Sequence, residues 1–169
     1  MVVILHNIRS LHNVGSIFRT ADAVGVRKIY LCGITPAPVD TLGKPRPQLT
    51  KVSLGAEKTV EWEYVKLASA LVGRLKKDGY KILAVEQDKK SISYRKMKIG
   101  AREKVALILG SEVRGLPASI LKRADKILEI PMAGAMVRQA HHPRRTRRGK
   151  ESLNVAVAFG IVAFGLKHR

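Results

Sequence analysis

Short apolar runs alternate with helical patterns along the whole of this 169-residue chain. Brief runs rich in Val, Ile and Leu are typical of strands that are buried on both faces. Five runs predict such strands: "VVIL" (2–5), "KIYLCG" (28–33), "KILAVEQ" (81–87), "VALILG" (105–110) and "KILEIPM" (126–132). The alternation predicts a single α/β domain over residues 1–169, with a mostly parallel sheet and helices on both of its faces.

Helical spacing of apolar residues marks the segments between these runs. The segment "NVGSIFRTADAVGV" (13–26) has its apolar residues at a helical period: Val14, Ile17, Phe18, Ala21 and Val24. A second amphipathic segment, "VKLASALVGRLKKDG" (65–79), ends at Gly79. Further helices are expected after Pro117 and after Ser152.

Two segments fit neither pattern. Residues 34–58 contain four prolines and predict a long irregular loop, of a kind that is usually functional or disordered. Residues 135–149 bring five Arg and two His with few apolar residues. We interpret them as a basic, solvent-exposed and mobile insertion, because such a composition buries too little apolar surface to offset the entropy of ordering.

The charge of the chain limits its partners. With 32 Lys and Arg against 13 Asp and Glu, the formal charge is +19, which suits a polyanion and above all nucleic acid. No apolar run reaches the roughly 20 residues of a membrane span, so no membrane partner is expected. The segment "MVVILHNIRS" lacks the features of a signal peptide, and a cytoplasmic protein is predicted. The lone Cys32 excludes an internal disulfide and is interpreted as a buried structural thiol.

The segment "GSEVRGLP" (110–117) begins like a phosphate-binding loop after a predicted strand. Leu116 and Pro117 stand where a P-loop needs Lys and then Ser or Thr, and the chain contains no GxGxxG fingerprint. What remains is Gly110 at the carboxyl end of a buried strand, where open α/β sheets place their ligands. Glu112 lies in the same loop, although a loop glutamate is most often only solvated surface.

Other polar positions have a structural as well as a functional interpretation. Asn13 is predicted to cap the first helix, and Arg19 follows six residues later, where it is most simply part of a basic surface. Ser152 or Asn154 can cap the last helix, whose free amides can also meet an anionic group. The adjacent histidines at 141 and 142 have no Cys or acidic partner at metal spacing, so no metal site is expected, and no nucleophile elbow supports a serine hydrolase.

Three ordered segments resemble the three motifs of the SpoU/TrmH branch of the SPOUT RNA methyltransferases. They are "NIRSLHNVGSIFRTADAVGVRKIYL", "ALILGSEVRGLP", and "ILEIPMAG" followed by "ESLNVAVAFGIVAFG". The resemblance implies a parallel α/β fold with a deep C-terminal trefoil knot, a rare exception to the rule that chains are unknotted. It also implies 2'-O-ribose methylation of tRNA or rRNA with S-adenosylmethionine and no metal. The family works as a homodimer in which the first motif of one subunit meets the knot of its partner.

Carried over onto this chain, the resemblance assigns roles to eleven residues. Arg19 is the catalytic arginine and Asn13 its companion in the first motif. Glu112 is the carboxylate of the second motif, and Ser152 and Asn154 are the polar pair of the third. The cofactor site is assigned to Val85, Glu86, Gly110, Ile130, Met132 and Leu153. Because a guanidinium is always protonated in proteins, we expect Arg19 to clamp a phosphate and stabilise the developing alkoxide rather than act as a base.

The basic segment departs from the family pattern. Gly134 and Ser152 are separated by 17 residues where the family has only a few, so the insertion falls within the expected cofactor loop. Two functions therefore stand: an active RNA ribose methyltransferase, and an RNA-binding protein of the same fold whose cofactor site is impaired. Retention of the five polar motif residues favours the first. A nonspecific basic nucleic-acid binder would explain the charge but not the motifs.

Overall fold

The computed structural model describes residues 1–132 and 152–167. The predicted insertion at 135–149 lies outside these residues, and the trefoil knot stays a prediction. Among the described residues, no helix is long and apolar enough to cross a membrane. In the same part of the chain, no group of three or more His, Cys, Asp or Glu side chains is arranged to hold a metal ion.

Within residues 1–132 and 152–167, seven parallel strands form one sheet. They are β1 (Val2–His6), β2 (Lys28–Cys32), β3 (Glu61–Val65), β4 (Lys81–Val85), β5 (Ile92–Ser93), β6 (Val105–Leu109) and β7 (Lys126–Glu129). Their order across the sheet is β3-β2-β1-β6-β4-β7-β5, and every pairing is parallel. The prediction of a mostly parallel α/β sheet is confirmed.

The described residues also form six helices. They are α1 (Leu11–Val24), α2 (Pro47–Ser53), α3 (Ala56–Thr59), α4 (Ala68–Lys77), α5 (Ala118–Leu121) and α6 (Val155–Lys167), with a 3-10 turn at Tyr94–Lys96. The helices expected after Pro117 and Ser152 correspond to α5 and α6. The five apolar residues predicted to form the buried stripe of the first helix are all buried in α1.

The two faces of the sheet bury separate apolar clusters. Along β1 the side chains alternate, so that Val3 and Leu5 join one cluster while Val2 and Ile4 join the other. The first cluster packs against α1, α2 and α6, and the second against α4 and α5. Helices therefore cover both faces, as predicted. Cys32 is fully buried in the second cluster, and burial, together with the charge of Glu63, raises the pKa of its thiol to about 12.

The start of α1 differs from the prediction. Ser10, not Asn13, is the N-cap: it has an extended backbone, and its Oγ accepts a hydrogen bond from the backbone N–H of Asn13 at 3.2 Å. The prediction that Asn13 caps this helix is wrong because Leu11 is already helical. Asn13 lies in the first turn, where its side chain is available for contacts with other segments.

The prediction of one irregular loop over residues 34–58 is also wrong in its second half, which contains α2 and α3. Pro47 stands in the first turn of α2, where its missing N–H costs no hydrogen bond. Burial of Leu49 and Ala56 then holds the two helices against the core. Strands β3 and β5 were not predicted, and Val65, taken as the start of a helix, ends β3 instead.

The connections that follow β1 and β6 leave the sheet in opposite directions. These two strands are neighbours, with Leu5 paired to Leu109, but α1 packs on one face and α5 on the other. A crevice opens at the carboxyl edge of a parallel sheet wherever neighbouring connections diverge in this way. The fold therefore places a candidate ligand site beyond the carboxyl ends of β1 and β6.

Candidate active site

A cavity of about 840 Å³ lies at this carboxyl edge, a volume typical of small-molecule sites. Its walls come from the ends of β4, β6 and β7, from the loop after β6, and from the first turns of α1 and α6. The lining residues are Asn13, Val85, Glu86, Gln87, Leu109, Gly110, Ser111, Glu112, Val113, Arg114, Gly115, Leu128, Glu129, Ile130, Met132, Ser152, Leu153, Asn154, Val155 and Ala158.

Ten of the eleven residues singled out in the sequence line this one cavity. They are Asn13, Val85, Glu86, Gly110, Glu112, Ile130, Met132, Ser152, Leu153 and Asn154. Arg19 is the exception. It lies on the exposed side of α1, six residues beyond Asn13, which is about 9 Å along the helix axis and two-thirds of a turn around it.

Three polar side chains from distant parts of the chain form a continuous hydrogen-bonded row. The Nδ2 of Asn13 donates to Oε1 of Glu112 at 2.9 Å, and the Nδ2 of Asn154 donates to Oδ1 of Asn13 at 3.0 Å. The Oδ1 of Asn154 in turn accepts the N–H of Ala156 at 2.9 Å and so caps α6. Asn13 therefore uses its carbonyl and one N–H to join the loop after β6 to the start of α6.

The Glu112 carboxylate is held in its ionised form. Burial raises its pKa, but hydrogen bonds from the Asn13 amide and from three backbone N–H groups outweigh that effect and leave the pKa below its usual range. Two of those N–H groups belong to Arg9 and Ser10, which donate to the carboxylate at 3.3 and 3.5 Å. Glu112 is consequently a weak base at neutral pH and a fixed hydrogen-bond acceptor.

The loop after β6 is folded back tightly on itself. The N–H of Gly115 donates to the carbonyl of Ser111 at 2.9 Å, and Gly115 adopts a left-handed φ of 62°. A Cβ on Gly110 would lie 2.5 Å from the nitrogen of Leu116 and 2.6 Å from the carbonyl oxygen of Gly115. Glycine is therefore required at position 110 for this close approach of two backbone segments.

Glu86 fastens the same loop to the end of β4. Its Oε2 accepts the N–H of Leu116 at 2.8 Å, and its Oε1 accepts the N–H of Gln87 at 3.0 Å. A Cβ on Gly115 would collide with the Glu86 carboxylate. Glu86 thus forms part of the cavity wall and also determines where the loop of residues 110–116 lies.

The protein-family model described as the SpoU rRNA methylase family matches residues 1–137 of this chain. The chain belongs to this family. The match ends three residues into the segment that was predicted from the sequence to be an insertion.

Relatives of this SpoU-family chain include RNA methyltransferases. A tRNA (guanosine(18)-2'-O)-methyltransferase from Aquifex aeolicus is 29% identical over 164 residues, which cover 97% of this chain and 67% of that protein. A 23S rRNA (guanosine-2'-O-)-methyltransferase from Coxiella burnetii is 28% identical, with coverage of 100% of this chain and 58% of that protein.

The solved structure of an rRNA methyltransferase is also similar to that of this chain. The AdoMet-bound rRNA methyltransferase from Sinorhizobium meliloti has a TM-score of 0.79 and 26% identity, and the match covers 97% of this chain and 54% of that one. The SpoU-family chain thus spans between about half and two thirds of the length of these three proteins.

Several residues that line the cavity or support its wall were not identified from the sequence. Ser10 caps α1 and contributes a backbone N–H to Glu112. Gln87 lies just after β4 and Glu129 ends β7, and both line the cavity. Polar residues at the carboxyl ends of predicted parallel strands are a signal that would have found these two. Arg114 and Gly115 lie within a motif that was recognised, but only the fold shows that they line the same cavity.

Proposed function

We propose that this SpoU-family chain transfers a methyl group from S-adenosylmethionine to the 2'-oxygen of a ribose in structured RNA, either tRNA or rRNA. The observation that carries the proposal is the hydrogen-bonded row of Glu112, Asn13 and Asn154, which joins the three motifs along one wall of the cavity. The relatives support the substrate class, since one is named for tRNA and the other for 23S rRNA.

The charge of the cavity fits this cofactor. When bound, S-adenosylmethionine supplies a methyl group on a positively charged sulfonium. Three glutamates (Glu86, Glu112 and Glu129) and one arginine (Arg114) line the cavity, although the chain as a whole has a formal charge of +19. An excess of carboxylates in a partly desolvated site favours a cation. We infer that the residues that hold the cofactor are Val85, Glu86, Gly110, Ile130, Met132 and Leu153.

The polar row is suited to positioning. Displacement at a sulfonium is in line, so the site must hold the ribose hydroxyl close to the methyl carbon and collinear with the bond that breaks. Asn13 and Asn154 hold each other and Glu112 in fixed orientations, which reduces the loss of side-chain entropy when RNA binds. Ser152, exposed at the cavity wall, provides a further hydroxyl to contact the ribose.

Arg19 requires a different account, because it does not line the cavity of its own chain. We propose that it reaches the cavity of a partner subunit in a homodimer, where it clamps the phosphate beside the target ribose and stabilises the developing alkoxide. A guanidinium suits this task because its planar fork matches the geometry of a phosphate.

The surface of α6 supports a dimer. Val157 and Phe164 are 51% and 41% exposed, and their spacing of seven residues puts them on the same face of the helix. Exposed apolar side chains grouped in this way are typical of surfaces that are covered in an assembly.

The test is methyl transfer from methyl-tritiated S-adenosylmethionine to bulk tRNA and rRNA from cells that lack the protein. We expect the label on a ribose, which makes the modified nucleotide resistant to alkaline cleavage; label on a base would refute the reaction class. Arg19→Ala should lower transfer at least 100-fold and leave cofactor affinity within about twofold. Arg27→Ala is the matched control, because this exposed arginine lies at the amino edge of the sheet, away from the cavity.

Calorimetric titration with S-adenosylmethionine decides between this proposal and the RNA-binding alternative. Binding at micromolar concentration supports the methyltransferase. If the cofactor does not bind while RNA still does, the chain is an RNA-binding protein of the same fold.

A further inference from the structure

The segment of residues 87–104, which is the connection from β4 to β6 without its first residue Glu86, is strongly basic and begins beside the cavity. It contains seven Lys and Arg residues and only two acidic residues. Its first residue, Gln87, lines the cavity, and its strand β5 pairs with β7 so that Ser93 is opposite Glu129, another lining residue. The first part of the connection therefore borders the site, and the chain then returns to the amino edge of the sheet, where the carbonyl of Lys104 accepts the N–H of Lys81 at 2.8 Å.

Apolar side chains anchor this connection to the core. Met97 is buried, and Ile92, Tyr94 and Ile99 pack against the larger apolar cluster. The Tyr94 ring lies so close to α6 that a Cβ on Gly165 would come within 3.0 Å of its Cδ2. These anchors fix the backbone of residues 92–99, and Lys96 and Lys98, which lie between them, are exposed.

Polar contacts hold the first turn of the connection. Asp88 Oδ1 accepts the N–H of Lys90 at 2.8 Å. The hydroxyl of Ser91 lies 2.7 Å from the Asp88 carbonyl and 2.7 Å from the Glu129 carboxylate. The basic side chains are thus presented from an ordered backbone, so a ligand that binds them need not order the loop first.

We define the basic rim as the exposed residues Lys89, Lys90, Lys96 and Lys98. Within the described part of the chain, none of these four takes part in an ion pair. The two acidic residues of this segment are already engaged, since Asp88 holds its own turn and Glu103 pairs with Lys81 at 2.7 Å. The rim charges are therefore not neutralised locally.

The opposite face of the sheet provides a contrast. There, Lys28 and Arg74 both pair with Glu63, at 2.9 and 3.3 Å, and Lys76 pairs with Asp125 at 2.7 Å. Cations that are balanced in this way contribute little to the attraction of a polyanion. The positive potential beside the cavity thus depends more on the rim than on these paired residues.

We propose that the basic rim binds phosphates of the RNA strand that flanks the target ribose. The inference rests on the proposed function, because it assumes that RNA enters the cavity from this side. Phosphate contacts by Lys and Arg position nucleic acid without reading its sequence, and they make affinity depend steeply on salt. The rim has an ordered backbone and projects cations rather than large apolar side chains, which favours a phosphate backbone over a lipid surface.

The test compares two triple variants that lose the same charge. Lys89→Gln/Lys96→Gln/Lys98→Gln neutralises the rim. Lys51→Gln/Lys58→Gln/Lys66→Gln is the control, since these exposed lysines lie in α2, in α3 and directly after β3, the strand at the opposite edge of the sheet. A third protein with the three rim lysines changed to Arg keeps the charge.

Binding of bulk tRNA and rRNA is measured between low and moderate salt. Each lost phosphate contact lowers the slope of log affinity against log salt by about 0.7, so three contacts predict a slope smaller by about 2 and an affinity up to about 50-fold weaker near 0.15 M salt. The Arg protein should match the wild type, and calorimetric affinity for S-adenosylmethionine should change less than about twofold in all variants.

Equal losses in the rim variant and the control would overturn the inference, because they would show a general effect of net charge. Wild-type RNA affinity in the rim variant would overturn it too. Binding to vesicles of anionic lipid is measured in parallel, and a loss of vesicle binding with unchanged RNA binding would likewise overturn the inference. These outcomes are separate from failure of the proposed function, which would appear as no methyl transfer by the wild type whatever its salt dependence.

Discussion

Replacement of Gly110 by Ala tests whether the cavity depends on the tight loop after β6. The new Cβ would lie 2.5 Å from the nitrogen of Leu116 and 2.6 Å from the oxygen of Gly115, at least about 0.8 Å inside an ordinary contact. Both obstacles are backbone atoms, so rotation of a side chain cannot relieve the overlap. The loop must move away from the end of β6.

The cost follows from the contacts that resist this movement. Overpacking of this kind typically costs about 1–3 kcal/mol. If the loop moves far enough to lose the hydrogen bond between the Leu116 N–H and the Glu86 carboxylate, about 1.5–3 kcal/mol more is lost. A total of about 2.5–6 kcal/mol lowers Tm by roughly 5–24 °C in a domain of this size. Because the loop walls the cavity, affinity for S-adenosylmethionine should also fall at least tenfold.

Gly73→Ala is the matched control. Gly73 lies inside α4, and a Cβ there would meet nothing within 4 Å. Alanine should stabilise the helix by about 0.5–1 kcal/mol and leave cofactor binding unchanged. Thermal unfolding followed by circular dichroism and calorimetric titration measure the two effects. If Gly110→Ala has the same Tm as the wild type and binds the cofactor equally well, the cavity does not depend on the tight loop.

The remaining predictions concern the Glu112 carboxylate and the exposed face of α6. Because the folded-state pKa of Glu112 is lowered, its stabilising effect is fully present above the unfolded pKa of about 4.3 and is lost as the pH falls through the folded value. Glu112→Gln should therefore melt below the wild type at pH 7, and the gap in Tm should narrow as the pH falls below about 4.3. A gap that is independent of pH would contradict this. Light scattering at micromolar concentration should give a dimer mass for the wild type and a monomer mass for Val157→Asp. The control is Leu42→Asp, at a loop residue that is 78% exposed, and it should remain a dimer. A monomeric wild type would argue against Arg19 acting across subunits.

The strands and helices that were predicted are those whose sequences have a clear pattern of apolar residues. Strand β6 is buried at all five positions and stands out as a continuous apolar run. Strand β3 lies at an edge, with Glu61 and Tyr64 exposed, so its sequence "EWEYV" lacks that signal. Strand β5 has only two residues, too few for any periodicity. The helix α2 was missed because nearby prolines indicate a loop, while Pro47 itself is compatible with a first helical turn.

The candidate site divides in the same way. The sequence shows Asn13, Glu112 and Asn154 as polar residues within three recognisable motifs, but not that they touch. Asn13 was expected to cap the helix. Only the structure shows that Ser10 is the cap and that the Asn13 side chain donates a hydrogen bond to Glu112. The sequence around Glu86 also gave no sign that its carboxylate accepts a hydrogen bond from Leu116, thirty residues further along the chain.

The sequence by itself determined the α/β class, the apolar strands and helical stripes, and the chemistry of the side chains. These depend on interactions between residues that are close along the chain, so periodicity records them. Only the tertiary structure decided that β6 lies between β1 and β4, and that β7 follows β4. This order brings the ends of strands from residues 2–6 and 126–129 to one edge. The site exists because pairing in a parallel sheet joins segments that are far apart in sequence, and that choice of neighbours is decided by burial of the whole core rather than by any one segment.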